Sequence, residues 1–122
     1  MKFSIVIPCY LVPYNDSELL KFTERAISSF REHSADFELV LIDNGSTIGT
    51  DYLLKEADVY VRNKVNLGFA PAVNQGLKLA TGNFLVVANN DIELVDDWLS
   101  TAFLAFANGT GISIVSAENV LV

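Results

Sequence analysis

Phe37 to Ser46 reads FELVLIDNGS, a short apolar run carrying one glutamate and stopped by Asp, Asn, Gly and Ser. Apolar runs of this length bounded by turn formers read as buried strands, so a strand is expected over Phe37–Ile42, with Asp43-Asn44-Gly45-Ser46 as the turn that ends it. The same device recurs on both sides. Phe3–Ile7 is ended by Pro8, Val59–Val61 is a brief strand, Phe84–Ala88 is stopped by Asn89-Asn90-Asp91, and Ile112–Val115 is a fifth run.

Between these runs the period changes from strand to helix. Leu19, Leu20, Thr23, Ala26, Ile27 and Phe30 recur at three-to-four spacing behind a cap at Asp16-Ser17. Thr50–Glu56 reads as a short helix. Phe69, Val73, Leu77 and Ala80 form a third stripe, with Pro71 tolerated in the first turn. Leu99, Ala102, Phe103 and Phe106 form a fourth behind Asp96-Asp97. Strands separated by helices pair in parallel through right-handed crossovers. The chain is therefore predicted to be α/β, a three-layer α/β/α unit with a mostly parallel sheet.

Length and composition set the outer limits. With 122 residues and 51% hydrophobic content, residues 1–122 suit one folded domain. Fifteen carboxylates against eight basic residues, a formal charge of −7, argue against a nucleic-acid partner. One cysteine and one histidine leave no disulfide framework, multi-cysteine metal site or histidine cluster. Cys9 reads as a small buried hydrophobe, not a nucleophile. Phe3–Ile7 is too short for a signal-peptide core, and the longest uncharged stretch, Trp98–Ala117, is broken by polar residues and glycines. A cytoplasmic location is expected.

In an open parallel sheet, ligands bind beyond the carboxyl ends of the strands. The polar loops Pro8-Cys9-Tyr10, Asp43–Ser46, Arg62–Gly68 and Asn89–Asp91 all follow strands, so they are expected to converge on one edge. Such a rim suits a nucleoside diphosphate. Asp43 and Asn44 would offer a base an acceptor and a donor. The chain has no glycine-rich phosphate cradle, and Arg62 and Lys64 are the only cations in these loops. A divalent cation, Mg2+ or Mn2+, held by Asp91 would supply the missing charge; a carboxylate flanked by amides is a hard-oxygen site.

Ser4–Tyr10 (SIVIPCY), Leu41–Thr50 (LIDNGSTIGT), Asn66–Ala70 (NLGFA) with Asn74–Gly76 (NQG), and Asn89–Glu93 (NNDIE) resemble, in order and spacing, the family 2 glycosyltransferases of the GT-A fold. The resemblance covers most of the chain and implies a Rossmann-like nucleotide-sugar-binding half. It implies a reaction moving sugar from a UDP- or dTDP-sugar to an acceptor hydroxyl, inverting and metal-assisted. It places Pro8, Cys9 and Tyr10 against the nucleoside, and Asp43 and Asn44 at the base. Asn66, Gly68 and Asn74 fall in the segment at the ribose and diphosphate, and Asn90 and Asp91 in the DxD-like motif, with Asp91 at the metal.

The chain departs from the pattern twice: Asn89-Asn90-Asp91 retains one carboxylate, and Val73 stands where many relatives carry arginine. The resemblance does not reach the family's second half, which supplies the acceptor site and the catalytic base. The chain is thus expected to be truncated before that half. Its glycan or lipid-linked acceptor, and any membrane association, would be reached only through the missing part, and an uncovered sheet edge or face could drive oligomerisation. Two other readings stand beside this one. One is a non-catalytic nucleotide-binding or interaction module of the same fold. The other, a nucleotidyltransferase, would want a glycine-rich, arginine-bearing loop after the first strand, which Pro8-Cys9-Tyr10-Leu11 is not.

Overall fold

The computed structural model describes residues 2–13, 18–34 and 36–109. Eight elements follow one another: β1 (Phe3–Cys9), α1 (Glu18–His33), β2 (Phe37–Asn44), α2 (Thr50–Glu56), β3 (Val59–Asn63), α3 (Phe69–Leu79), β4 (Phe84–Val87) and α4 (Trp98–Asn108). The strands form one sheet in the order β3-β2-β1-β4, every pairing parallel. This is the expected layered α/β arrangement. The expected cap at Asp16-Ser17 and the fifth strand at Ile112–Val115 lie outside the described residues.

Side chains alternate across the sheet with the period of two that a strand imposes. Phe3, Ile5, Ile7, Leu39 and Leu41 pack with Ile27 and Phe30 of α1, Leu53 of α2 and Leu99 of α4. Val6, Val40 and Ile42 point to the other face and meet Ala72 of α3. These strand side chains are fully buried on both faces, each contributing about 1.5–3 kcal/mol. α3 lies close to the sheet because Gly76 has no Cβ: one built there would overlap Val6 Cγ1.

Two strands run further than expected. β2 continues through Asp43 and Asn44, so these residues close a strand and the turn begins at Gly45 (φ +83°). β1 continues through Pro8 to Cys9. A proline in an inner strand requires that its missing N–H face no partner. Ala88 N–H donates to Val6 O at 3.1 Å, so by alternation the backbone of Pro8 also addresses the β4 side. β1 stays paired with β2 as far as Cys9, but with β4 only as far as Val6. The sheet therefore opens between β1 and β4 at its carboxyl edge.

The glutamate inside the β2 run is accommodated at the opposite edge. Glu38 accepts from Ser4 Oγ (2.5 Å) and from Thr81 N–H (2.9 Å), while Gly82 N–H donates to Ser4 Oγ at 2.8 Å. Burial works to raise this carboxyl, but these hydrogen bonds outweigh it and hold it below the ordinary value. The buried charge pins the α3–β4 connection.

Candidate functional site

The opening between β1 and β4 is where chain order reverses direction across the sheet: β1 is followed outward by β2 and β3, and β4 returns to its other side. A cleft of about 220 Å³ lies beyond it. From β1 it takes Pro8, Cys9 and Tyr10; from the end of β2, Asn44; from the loop after β3, Asn66; from the turn after β4, Asn90. Two strand ends and two loops thus meet on one rim. Leu19 of α1, Phe69 of α3 and Asn89 complete the lining.

These last three were not among the expected site residues. Asn89 shares its turn with Asn90 and was legible from that position. Phe69 reads as part of the apolar stripe of α3, but the structure corrects this: it is 55% exposed and stands on the cleft wall. Leu19 sits on α1 with nothing in its local sequence to separate it from core positions.

The remaining expected residues lie around the cleft without lining it. Asp43 closes β2 at the same carboxyl edge, but its side chain is fully buried. It accepts from Ser46 N–H (2.9 Å), Tyr60 O–H (2.5 Å) and Arg62 Nη1 (2.7 Å). Burial works to raise its carboxyl; the donors of Ser46, Tyr60 and Arg62 prevail and hold it below the usual aspartate range. Burial, with the Asp43 charge behind it, pushes the Tyr60 hydroxyl up to about 12. Gly68 precedes α3, Asn74 is exposed on that helix, and Asp91 is exposed in the turn after β4.

The loops are fastened to one another from behind. Arg62 Nη2 donates to Ser46 O at 2.9 Å, Leu11 N–H to Ser46 Oγ at 2.8 Å, and Thr47 N–H to Leu11 O at 2.8 Å. The segment that carries Tyr10 is thereby tied to the turn after β2. Asn44 performs the same task for the loop after β3. Its Nδ2 donates to Asn66 Oδ1 (2.9 Å) and Gly68 O (3.1 Å), and its Oδ1 accepts from Asn63 Nδ2 and Leu67 N–H, both at 3.1 Å. Asn63 and Gln75 exchange a reciprocal amide pair, 2.7 and 2.9 Å, that joins β3 to α3. Asn90 Nδ2 is held by Thr23 Oγ1 of α1 at 3.0 Å.

Cys9 belongs to the cleft floor as an apolar group. Its thiol is pushed up to about 12 by burial and by the nearby Asp43 charge, so it stays protonated and a poor nucleophile at neutral pH. The described residues contain no group of three or more His, Cys, Asp or Glu side chains able to hold an ion, and Asp91 stands as the single carboxylate of its turn. No described helix is long and apolar enough to cross a membrane.

Residues 4–120 match the family described as Glycosyl transferase family 2. An uncharacterized glycosyltransferase, YfnE of Bacillus subtilis (strain 168), is 32% identical over 113 residues, covering 88% of this chain but 28% of that protein. Among solved structures, S. aureus TarS 1-349 in complex with UDP superposes with a TM-score of 0.73 at 20% identity, over 95% of this chain and 38% of that one. The mannosyltransferase PcManGT from Pyrobaculum calidifontis, in complex with GDP-Man and Mn2+, gives 0.61 at 24% identity, over 78% and 29%. These likenesses establish the fold as that of the GT-A glycosyltransferases. The chain spans under two-fifths of the length of each of these proteins.

Proposed function

The chain belongs to glycosyl transferase family 2, and from that premise we propose that it carries the donor site of an enzyme moving sugar from a UDP- or dTDP-sugar to an acceptor hydroxyl. The observation that carries this reading is the opening of the sheet between β1 and β4, with the ends of β1 and β2 and the segments after β3 and β4 gathered on it. Support also comes from UDP in the TarS complex and GDP-Man in the PcManGT complex, each bound by a protein of the same fold.

In this reading the cleft orients the nucleoside, and the sugar lies beyond Asn89–Asp91. An inverting transfer forms a bond from the acceptor oxygen to the anomeric carbon as the bond from that carbon to the diphosphate breaks. The nucleoside diphosphate leaves with the electron pair, and a general base takes the acceptor proton. The described residues supply orientation. We place the base and the glycan or lipid-linked acceptor site outside the aligned portion of the family. Mg2+ or Mn2+ enters this proposal only as an ion accompanying the donor diphosphate.

Calorimetric titration of the chain with UDP, with and without Mn2+, tests the proposal. Saturable binding is expected, weaker when Tyr10 is replaced by alanine; no binding of any nucleoside diphosphate would remove the donor site. The single carboxylate at Asn89–Asp91 favours a second reading, a nucleotide-binding module without transfer. It is distinguished by incubating the full-length protein with donor and looking for released UDP.

A further inference from the structure

Among its buried residues α1 carries the hydroxyls of Thr23 and Ser29. Thr23 is fully buried and Ser29 nearly so, and a polar group in such a place is costly unless it is hydrogen-bonded. Each spends its proton inside its own helix: Thr23 Oγ1 donates to Leu19 O at 2.9 Å, and Ser29 Oγ to Ala26 O at 2.7 Å. A hydroxyl has a single donor, so both oxygens are left as acceptors only. Both are taken by the segment that follows β4. Asn90 Nδ2 donates to Thr23 Oγ1 at 3.0 Å, and Leu94 N–H to Ser29 Oγ at 2.9 Å.

Between these anchors the segment alternates. Asn90, Ile92 and Leu94 are half-buried, Ile92 and Leu94 against the core, whereas Asn89, Asp91 and Glu93 are exposed. The anchors thus decide where the turn bearing Asp91 stands beside the cleft. They also decide a polarity. A carboxamide has a donor end and an acceptor end. Turning the Asn90 amide end for end would set Oδ1 against an oxygen with no proton to give. Nδ2 is therefore committed to Thr23. Oδ1, which has no hydrogen-bond partner among the described residues, is the end left to the cleft that Asn90 lines.

Given the donor-site reading above, on which this rests, we propose that Thr23 is a positioning residue for the ligand site, although it does not itself line the cleft. As an acceptor it fixes the Asn90 amide with its oxygen toward the ligand, and with Ser29 it holds the Asn90–Leu94 segment in place.

Calorimetric titration with UDP in Mn2+ tests this on Thr23→Val, Thr23→Ser, Asn90→Ala and the chain carrying Thr23→Val and Asn90→Ala together. Valine keeps the shape and removes the acceptor; serine keeps the acceptor. Thr23→Val should weaken UDP binding by about fivefold or more, the contribution of one positioned hydrogen bond. Thr23→Ser should stay within about twofold of the unaltered chain. Beside Asn90→Ala, Thr23→Val should change affinity by less than about twofold, because its effect passes through that amide. A merely structural Thr23 would lower affinity equally in both backgrounds. A second measurement, by NMR on the unaltered chain, serves even if the valine variant does not fold: the nuclear Overhauser contact between the Asn90 side-chain NH2 and the Thr23 methyl should persist when UDP is bound. Equal UDP affinity of Thr23→Val and the unaltered chain, an undiminished effect of Thr23→Val beside Asn90→Ala, or loss of that contact on binding would each overturn the proposal and leave the donor site standing. If the unaltered chain binds no nucleoside diphosphate, the donor site and the proposal fall together.

Discussion

Arg62 Nη1 lies 2.7 Å from Asp43 Oδ2, across a register in which the two residues are direct partners on β3 and β2. The acid whose position most suggested ligand recognition is thereby committed to its own fold. With Tyr60 and Ser46 it fastens the β2–β3 edge and the turn behind Tyr10, and the cleft inherits its shape from that fastening.

Replacing Asp43 by alanine should leave the Tyr60 hydroxyl, the Ser46 N–H and Arg62 without their acceptor. Stability should fall by about 3 kcal/mol, measured by urea unfolding. Acid should act on the same contact. Asp43 and Glu38 are both held below their ordinary values of 3.8 and 4.5. Around those values the unfolded chain binds protons that the native chain does not. Stability should therefore be full above about pH 5 and decline as pH falls through that window. Asp43→Asn should show a shallower decline below the aspartate value than the unaltered chain.

Asn44→Ala should loosen the loop after β3, because four hydrogen bonds converge on that one amide. Leu67 N–H and Gly68 O lose partners, and because both residues are exposed each lost bond costs about 0.5–1.5 kcal/mol. Both the melting temperature and the UDP affinity should fall. Asn44→Asp, which keeps the acceptor and loses the donor, should fall between the alanine variant and the unaltered chain.

Gly76→Ala sets two effects against each other. Alanine favours a helix by about 1 kcal/mol over glycine, but its methyl would overlap Val6 Cγ1, and overpacking a close contact costs about 1–3 kcal/mol. The steric effect should win, giving a net loss of stability in thermal unfolding. Val6→Ala in the same chain should restore part of it.

Asp91 is exposed and makes no described hydrogen bond, so Asp91→Ala should leave unfolding unchanged within about 0.5 kcal/mol. The same variant should lose the Mn2+-dependent part of UDP affinity, read by calorimetry in the presence and absence of the ion.

The Cys9 thiol should resist alkylation at pH 8, since it is buried and pushed up to about 12. Iodoacetamide labelling followed by mass spectrometry should report slow modification of the native chain and rapid modification in urea. Equal rates in both would mean that the β1 end is open to solvent.

The order of strands and helices was legible in the chain because burial on a regular backbone leaves a period, and the period survives in the residues alone. Convergence of the loops followed from that order, since parallel strands send their carboxyl ends to one rim. Which side chains line the cleft was decided only by tertiary structure. Asp43 meets Tyr60 and Arg62 from 17 and 19 residues further on, and no local pattern records that these donors will claim it. Phe69 occupies a regular helical position, and whether it reaches core or cleft depends on how α3 lies against the sheet, which the contact of Gly76 with Val6 constrains. Periodicity encodes how much of each element is buried; only packing decides which polar groups have already found partners and which are left for something else to bind.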